Sequence, residues 1–152
     1  MKTEGEAIAS NREAFHAYHI LETIEAGISL KGTEVKSLRN HQANLKGSFA
    51  RLENEELFVY NLHIAPYEHG SIFNPDPMRE RKLLLHRREI RDLAAKIQSK
   101  GLTLIPLSLY FKGGIVKLEL GLAKGKRQYD KREAIKTRDQ MREIQRALRK
   151  RG

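Results

Sequence analysis

The chain has 152 residues and carries 29 Lys/Arg against 19 Asp/Glu, a formal net charge of +10. That length suits one ordinary domain, and no apolar run approaches the roughly 20 residues that a bilayer span needs. With 0 cysteines, disulfides, thiol nucleophiles and cysteine-held metals are excluded.

The opening ten residues, MKTEGEAIAS, lack the apolar stretch of a signal peptide and predict a flexible terminus on a cytoplasmic protein. Between Phe15 and Leu30, Tyr18, Ile20, Ile24 and Ile28 fall at even positions and predict one or two strands. Thr33 can cap a short helix running through Leu38, with Val35 and Leu38 on one side. In residues 57–64, Phe58, Tyr60, Leu62 and Ile64 are expected to share one face of a strand. No periodicity follows from Ala65 to Lys82, a stretch with Pro66, Pro75 and Pro77. A loop of that length is usually functional. From His86 to Ser99, Ile90, Leu93, Ala94 and Ile97 keep helical spacing, and Gly101 stands where a helix stops.

Residues 102–111 are mostly apolar and predict a strand buried on both faces, in which Pro106 requires an edge or a bulge. Gly113-Gly114 predicts a tight hairpin into a strand whose Val116, Leu118, Leu120 and Leu122 point inward. Five or six strands with few helices predict a mainly β protein, an OB-like closed antiparallel barrel over residues 11–123; a β-sandwich fits the strand count nearly as well.

The charge is unevenly placed. Residues 124–152 hold 12 Lys/Arg and 4 Asp/Glu, so this tail carries +8 and residues 1–123 carry +2. A near-neutral body with a cationic tail is the electrostatic footprint of a polyanion binder, and inside a cell the polyanion is nucleic acid. Arg138, Arg142, Arg146 and Lys150 recur every four residues. Such a one-sign ridge repels itself in an isolated helix. The tail is therefore expected to be disordered alone and helical along a row of phosphates.

Catalytic and metal signatures fail on spacing. Gly121, Gly125 and Lys126 are set too close for a phosphate loop, and Arg127 stands where Ser or Thr is required. His16 and His19, read on a strand, face opposite ways. Glu22 and Glu25 read as salt-bridging carboxylates rather than a catalytic pair. Neither an enzyme nor a cofactor is expected.

Three blocks carry more than composition: EAGISLKGTEVKSLRNHQANLKGSF (25–49), PDPMRERKLLLHRREI (75–90) and GLAKGKRQYDKREAIK (121–136). In this order and spacing the chain resembles the SsrA-binding proteins, the SmpB family, from Asn11 onward. The resemblance implies an OB-like barrel that binds the tRNA-like domain of transfer-messenger RNA. It also implies delivery of that RNA to stalled ribosomes for trans-translation, with the tail entering the vacant message channel at the small-subunit decoding site. An adaptor without covalent chemistry follows from it; a monomer is the default expectation, and the tail, with Tyr129 its only aromatic, is expected to bind membranes poorly.

Residue by residue, the resemblance implies RNA-facing roles for Asn11, Arg12 and His16 in the opening motif, which also holds Tyr18. It implies the same for Glu25, for Lys36 and Arg39 at the close of the following helix, and for Arg79, Arg81, Lys82, Leu84 and His86. Many relatives carry Asn at the position of His86. Gly125, Lys126, Arg127, Gln128, Tyr129, Asp130, Lys131, Arg132 and Lys136 fall in the block associated with the decoding site. On residue chemistry alone, Leu84 fits a core better than an RNA contact. Glu25 would repel phosphate, yet can accept hydrogen bonds from base amino groups or orient a nearby cation. Lys36 and Arg39 could equally be the wet face of a helix. Tyr129, in a cationic segment with no core of its own, suits base stacking, worth roughly 1–3 kcal/mol.

Overall fold

The computed structural model of the chain describes residues 7–69 and 74–125. Nine strands and three helices follow in the order β1 (Ala7–Ser10), α1 (Arg12–Ala17), β2 (Tyr18–Ile28), α2 (Gly32–Arg39), β3 (Ala43–Asn44), β4 (Phe49–Glu53), β5 (Glu56–Tyr60), β6 (His63–Ile64), β7 (Arg81–Leu84), α3 (Arg87–Lys100), β8 (Thr103–Lys112) and β9 (Ile115–Gly125). The main sheet runs β1-β8-β4-β5-β7-β2-β9, and β9 pairs back onto β8. Six antiparallel strands thus close on themselves, which decides for the closed arrangement over the sandwich. Closure onto β8 leaves β9 without the free edge that an open sheet would expose. β3 and β6 form a separate two-stranded ribbon.

The interior is aliphatic. Leu57, Val59, Leu109, Leu118 and Leu120 are all at 0% exposure. β8 is buried on both faces, as its mostly apolar run predicts. Leu104 and Leu109 belong to the main core, while Ile105 and Leu107 pack with Ala14 of α1 and Ala123 in a second cluster. Pro106 sits at a bulge, for the β8–β9 register slips between Pro106 and Ser108. The predicted Gly113-Gly114 hairpin is present, with φ of 59° and 77°. That double left-handed turn is cheap only without side chains. α3 ends at Gly101 in the left-handed conformation, φ 63°, as expected.

Several expectations shift. Residues 7–10, placed in the flexible terminus, form β1, and Ile8 is buried. Short apolar content hid a strand that needs only β8 beside it. Arg12–Ala17 is helical, so His16 leaves the strand reading, and β2 starts at Tyr18. α2 begins at Gly32, and its first turn is capped by the Glu34 carboxylate accepting from the Lys31 N–H at 2.9 Å rather than by Thr33. In 57–64 the inward residues are Leu57 and Val59, then Leu62 and Ile64; Phe58 and Tyr60 lie on the outer face. Asn61, at φ 60°, breaks the pleat between them and resets the alternation. Part of the apparent 65–82 loop is ordered as β7, and Lys124 and Gly125 extend β9 instead of opening the tail. Lys126 to Gly152, including every expectation about the tail's folding, lie outside the described residues.

Candidate RNA interface

The outer face of β2, β7, β8 and β9 collects the polar residues. Ile28 and Leu83 pair across β2–β7 and both point inward; the next pair, Gly27 and Leu84, therefore faces out. Leu84 is 51% exposed, against its expected place in the core. Gly27 lets it lie flat: a Cβ on Gly27 would stand 3.2 Å from that of Leu84. The same antiparallel register carries Glu25 toward the level of His86, which precedes α3. Glu25 and Leu84, from two distant sequence blocks, are thus both exposed on this outer face, and His86 is exposed at the N-cap of α3 beyond the end of β7.

Glu25 is held from the other side. The Tyr110 hydroxyl donates to its Oε2, and Lys112 Nζ lies 3.3 Å from Oε1. Tyr110, then Lys112 and Lys117, hold the Glu25 carboxyl below its ordinary range against a smaller opposing effect of burial, so it is ionised at neutral pH. Burial and the same carboxylate push the Tyr110 hydroxyl up, so it stays a donor. Lys117 pairs across β9 with Gly27. The result is an oriented acceptor flanked by two lysines beside a flat leucine. Such a surface offers Glu25 to a base amino group and Lys112 and Lys117 to phosphates. Glu22 is salt-bridged to Lys96 at 2.8 Å, which agrees with the salt-bridge reading of both carboxylates.

Arg79 and Arg81 have another job. Arg81 is at 0% exposure and cannot face RNA. Its Nε donates to Glu34 Oε2 at 2.7 Å, and its guanidinium nitrogens reach the carbonyls of Leu62 at 2.6 Å, Pro77 at 3.1 Å and Arg79 at 3.2 Å. Arg79 Nε donates to the same Glu34 oxygen at 3.1 Å, and its Nη2 to the Ser29 carbonyl at 3.4 Å. Glu34, 3% exposed, is the hub of the cluster. The two arginines and the Lys31 N–H outweigh its desolvation and hold its carboxyl below the usual range. Burial in turn lowers Arg81. This buried ion cluster ties α2 to the segment entering β7. Lys82, by contrast, is exposed and pairs with Glu56 at 3.2 Å.

Asn11 is likewise a correction. It is 6% exposed, and its Nδ2 donates to the carbonyls of Pro106 at 2.9 Å and Leu45 at 3.4 Å. It fastens α1 to β8, using a carbonyl next to the bulge. Arg12 and His16 are exposed on α1, near the end of β2 where Tyr18 pairs with Gly125. That end lies roughly 20 Å along β2 from Glu25, at about 3.3 Å per residue. Lys36 and Arg39 are exposed on α2. Lys36 Nζ stands 5.5 Å from the centroid of the Tyr67 ring, whose edge meets His69, and Asn74 brackets the Tyr67 backbone with bonds of 3.0 and 2.9 Å. Glu34, Tyr67 and Tyr110 were not singled out from the sequence. Glu34 in first-turn position was the one readable signal. No group of side chains among the described residues is arranged to hold a metal.

Comparison with known proteins fits this geometry. The family described as SmpB protein matches residues 8–150. The chain belongs to the SmpB family. An SsrA-binding protein of Carboxydothermus hydrogenoformans is 63% identical over 95% of this chain and 97% of its own. One from Geobacillus kaustophilus is 57% identical over 99% and 97%. A solved chain from the structure described as "tmRNA-SmpB: a journey to the center of the bacterial ribosome" is 57% identical, with a TM-score of 0.66 over 83% of this chain and 92% of that one. No helix of the described residues in this SmpB-family chain is long and apolar enough to cross a membrane.

Proposed function

We propose that this chain is an RNA-binding adaptor of ribosome rescue. It binds the tRNA-like domain of transfer-messenger RNA and brings it to stalled ribosomes, and its cationic tail enters the empty message channel at the decoding site. The observation that carries the reading is the exposure of Glu25 and Leu84 on the outer face of the paired β2 and β7. Family membership and the RNA named for the solved relative support it.

Each element has a part. Leu84 gives a flat apolar surface for a nucleoside, Glu25 accepts from base amino groups, and Lys112, Lys117 and Lys82 meet phosphates. Lys36 and Arg39 add cations from α2. Arg12, His16 and Gly125 mark the exit of the tail at the far end of β2. Lys126, Arg127, Lys131, Arg132 and Lys136 then supply phosphate contacts, and Tyr129 a stacking ring. Separation of the two ends lets one molecule touch two RNAs. The chain acts as a cytoplasmic monomer and catalyses no covalent step.

Titration with the tRNA-like RNA and peptide tagging in a reconstituted translation system test the division of labour. Deleting residues 126–152 is expected to preserve most RNA affinity and abolish tagging. Equal loss of both activities refutes it.

A further inference from the structure

A groove of about 720 Å³ runs along α3 beside β5 and β7. Leu52, Leu85, Ile90 and Ala94 line it with apolar surface. Arg87 and Arg91 stand on its α3 side, one helical turn and about 6 Å apart along the axis. Lys82 faces them from β7. Arg87 falls in the 75–90 block and Arg91 just beyond it, and neither was among the residues given an RNA-facing role above.

Charge on α3 is sorted by face. Glu89 and Asp92 line the opposite flank of the helix, together with Lys96 and Glu22. Lys96 is occupied by Glu22, and Glu89 accepts from the His86 N–H at 3.1 Å. Arg87 and Arg91 make no ion pair or hydrogen bond among the described residues. The acidic groups nearest the groove are Glu55 and Glu56 across it, and Glu56 is already held by Lys82. Like charges at i and i+4 repel, and Glu55 on the far wall is the acidic lining residue not held by Lys82. An anion lying along the groove relieves that repulsion.

The groove is also lined by Leu84, the exposed leucine of the candidate interface. An RNA strand crossing Leu84 and His86 therefore continues onto α3 without leaving the surface. We infer that the α3 groove is a second RNA track, in which Arg87 and Arg91 hold phosphates of the same RNA that Glu25 and Leu84 recognise. The inference rests on the RNA-binding reading above. A polyanion fits better than an acidic peptide because the cations form a row along one side, spaced for a repeating charge, and point-charge contacts of that kind position a backbone without reading sequence.

The test is titration of the full chain with the tRNA-like RNA across a salt series. The chains compared are the parent, Arg87→Gln, Arg91→Gln, Leu84→Ala and, as a one-charge control at the far end of α3, Lys100→Gln. Circular dichroism checks that each is folded. Each arginine variant is expected to flatten the dependence of log K on log salt by roughly 0.7 to 0.9, the loss of one phosphate contact. Lys100→Gln is expected to leave that dependence unchanged. Unchanged slopes in both arginine variants overturn the inference, as does an equal effect of Lys100→Gln. Weakened ribosome association with unaltered RNA titration also overturns it, in favour of a protein partner for the groove. Failure of the parent chain to prefer the tRNA-like RNA over an unrelated RNA of equal length would instead sink the underlying reading, and Leu84→Ala without effect would sink its placement.

Discussion

Arg81 spreads its guanidinium over Glu34 and three backbone carbonyls with none of it exposed. Arg81→Ala leaves Glu34 buried with one arginine fewer and those carbonyls unpaired. Breaking such a pair costs roughly 3–5 kcal/mol, so urea unfolding should show a loss of unfolding free energy of that size, read as a lowered midpoint. RNA affinity measured well below the transition should change little, because Arg81 touches no outer surface. Glu34 also sets a pH dependence. Its folded pKa lies below its unfolded value, so its contribution is present above the unfolded value and lost as pH falls through the folded one. Thermal midpoints should therefore be level near neutrality and fall on acidification below about pH 4, near the ordinary carboxylate value. A profile that stays flat to pH 3 would contradict the cluster. Among the resemblance's residues, the exposure of Leu84 was not legible from its chemistry, and Arg79, Arg81 and Asn11 were not legible as structure. An arginine reads as surface until something shows a carboxylate folded in beside it.

Strand by strand, the hairpins carry different margins. Gly113-Gly114 already has the residues its turn wants. The β4–β5 hairpin instead turns on Asn54 and Glu55, at φ 51° and 65°. Glu55 pays the left-handed penalty, roughly 1–2 kcal/mol for an L residue. Glu55→Gly creates the Asn-Gly turn that two-residue hairpins prefer and should raise the thermal midpoint by a few degrees, about 1 kcal/mol. An unchanged or lowered midpoint would count against turn strain. Gly121 is the opposite case. A Cβ there would meet Leu107 Cδ1 at 2.9 Å and Ile20 Cγ2 at 3.2 Å. Gly121→Ala should destabilise by roughly 1–3 kcal/mol through overpacking between β9, β8 and β2, read as a lowered urea midpoint. The long alternating strands were plain in the sequence because burial of one face imposes period two. β1, β4 and β7 were missed because each is short and one of them carries a buried arginine. The phase of β5 was misread because the break at Asn61 is a backbone event without an apolar signature.

At the scale of the whole molecule, the core clusters of the described residues run from Ile8 to Ala123. Because six strands already close on themselves within the described residues, deleting residues 126–152 is expected to leave the thermal midpoint of the ring unchanged while removing most of the positive charge. A large fall in midpoint would mean that the tail completes the core. The tail departs at Gly125, beside Tyr18, while Glu25 and Leu84 stand at the other end of β2. Composition and pattern alone determined the mainly β character and the cationic tail, because alternation and net charge are properties of the chain itself, and three sequence blocks carried the family resemblance; closure of the sheet was chosen over a sandwich only by the β8–β9 pairing. Only the tertiary structure decided which cations are available: whether an arginine meets water or a buried glutamate depends on what closure of the sheet brings beside it, from residues tens of positions away.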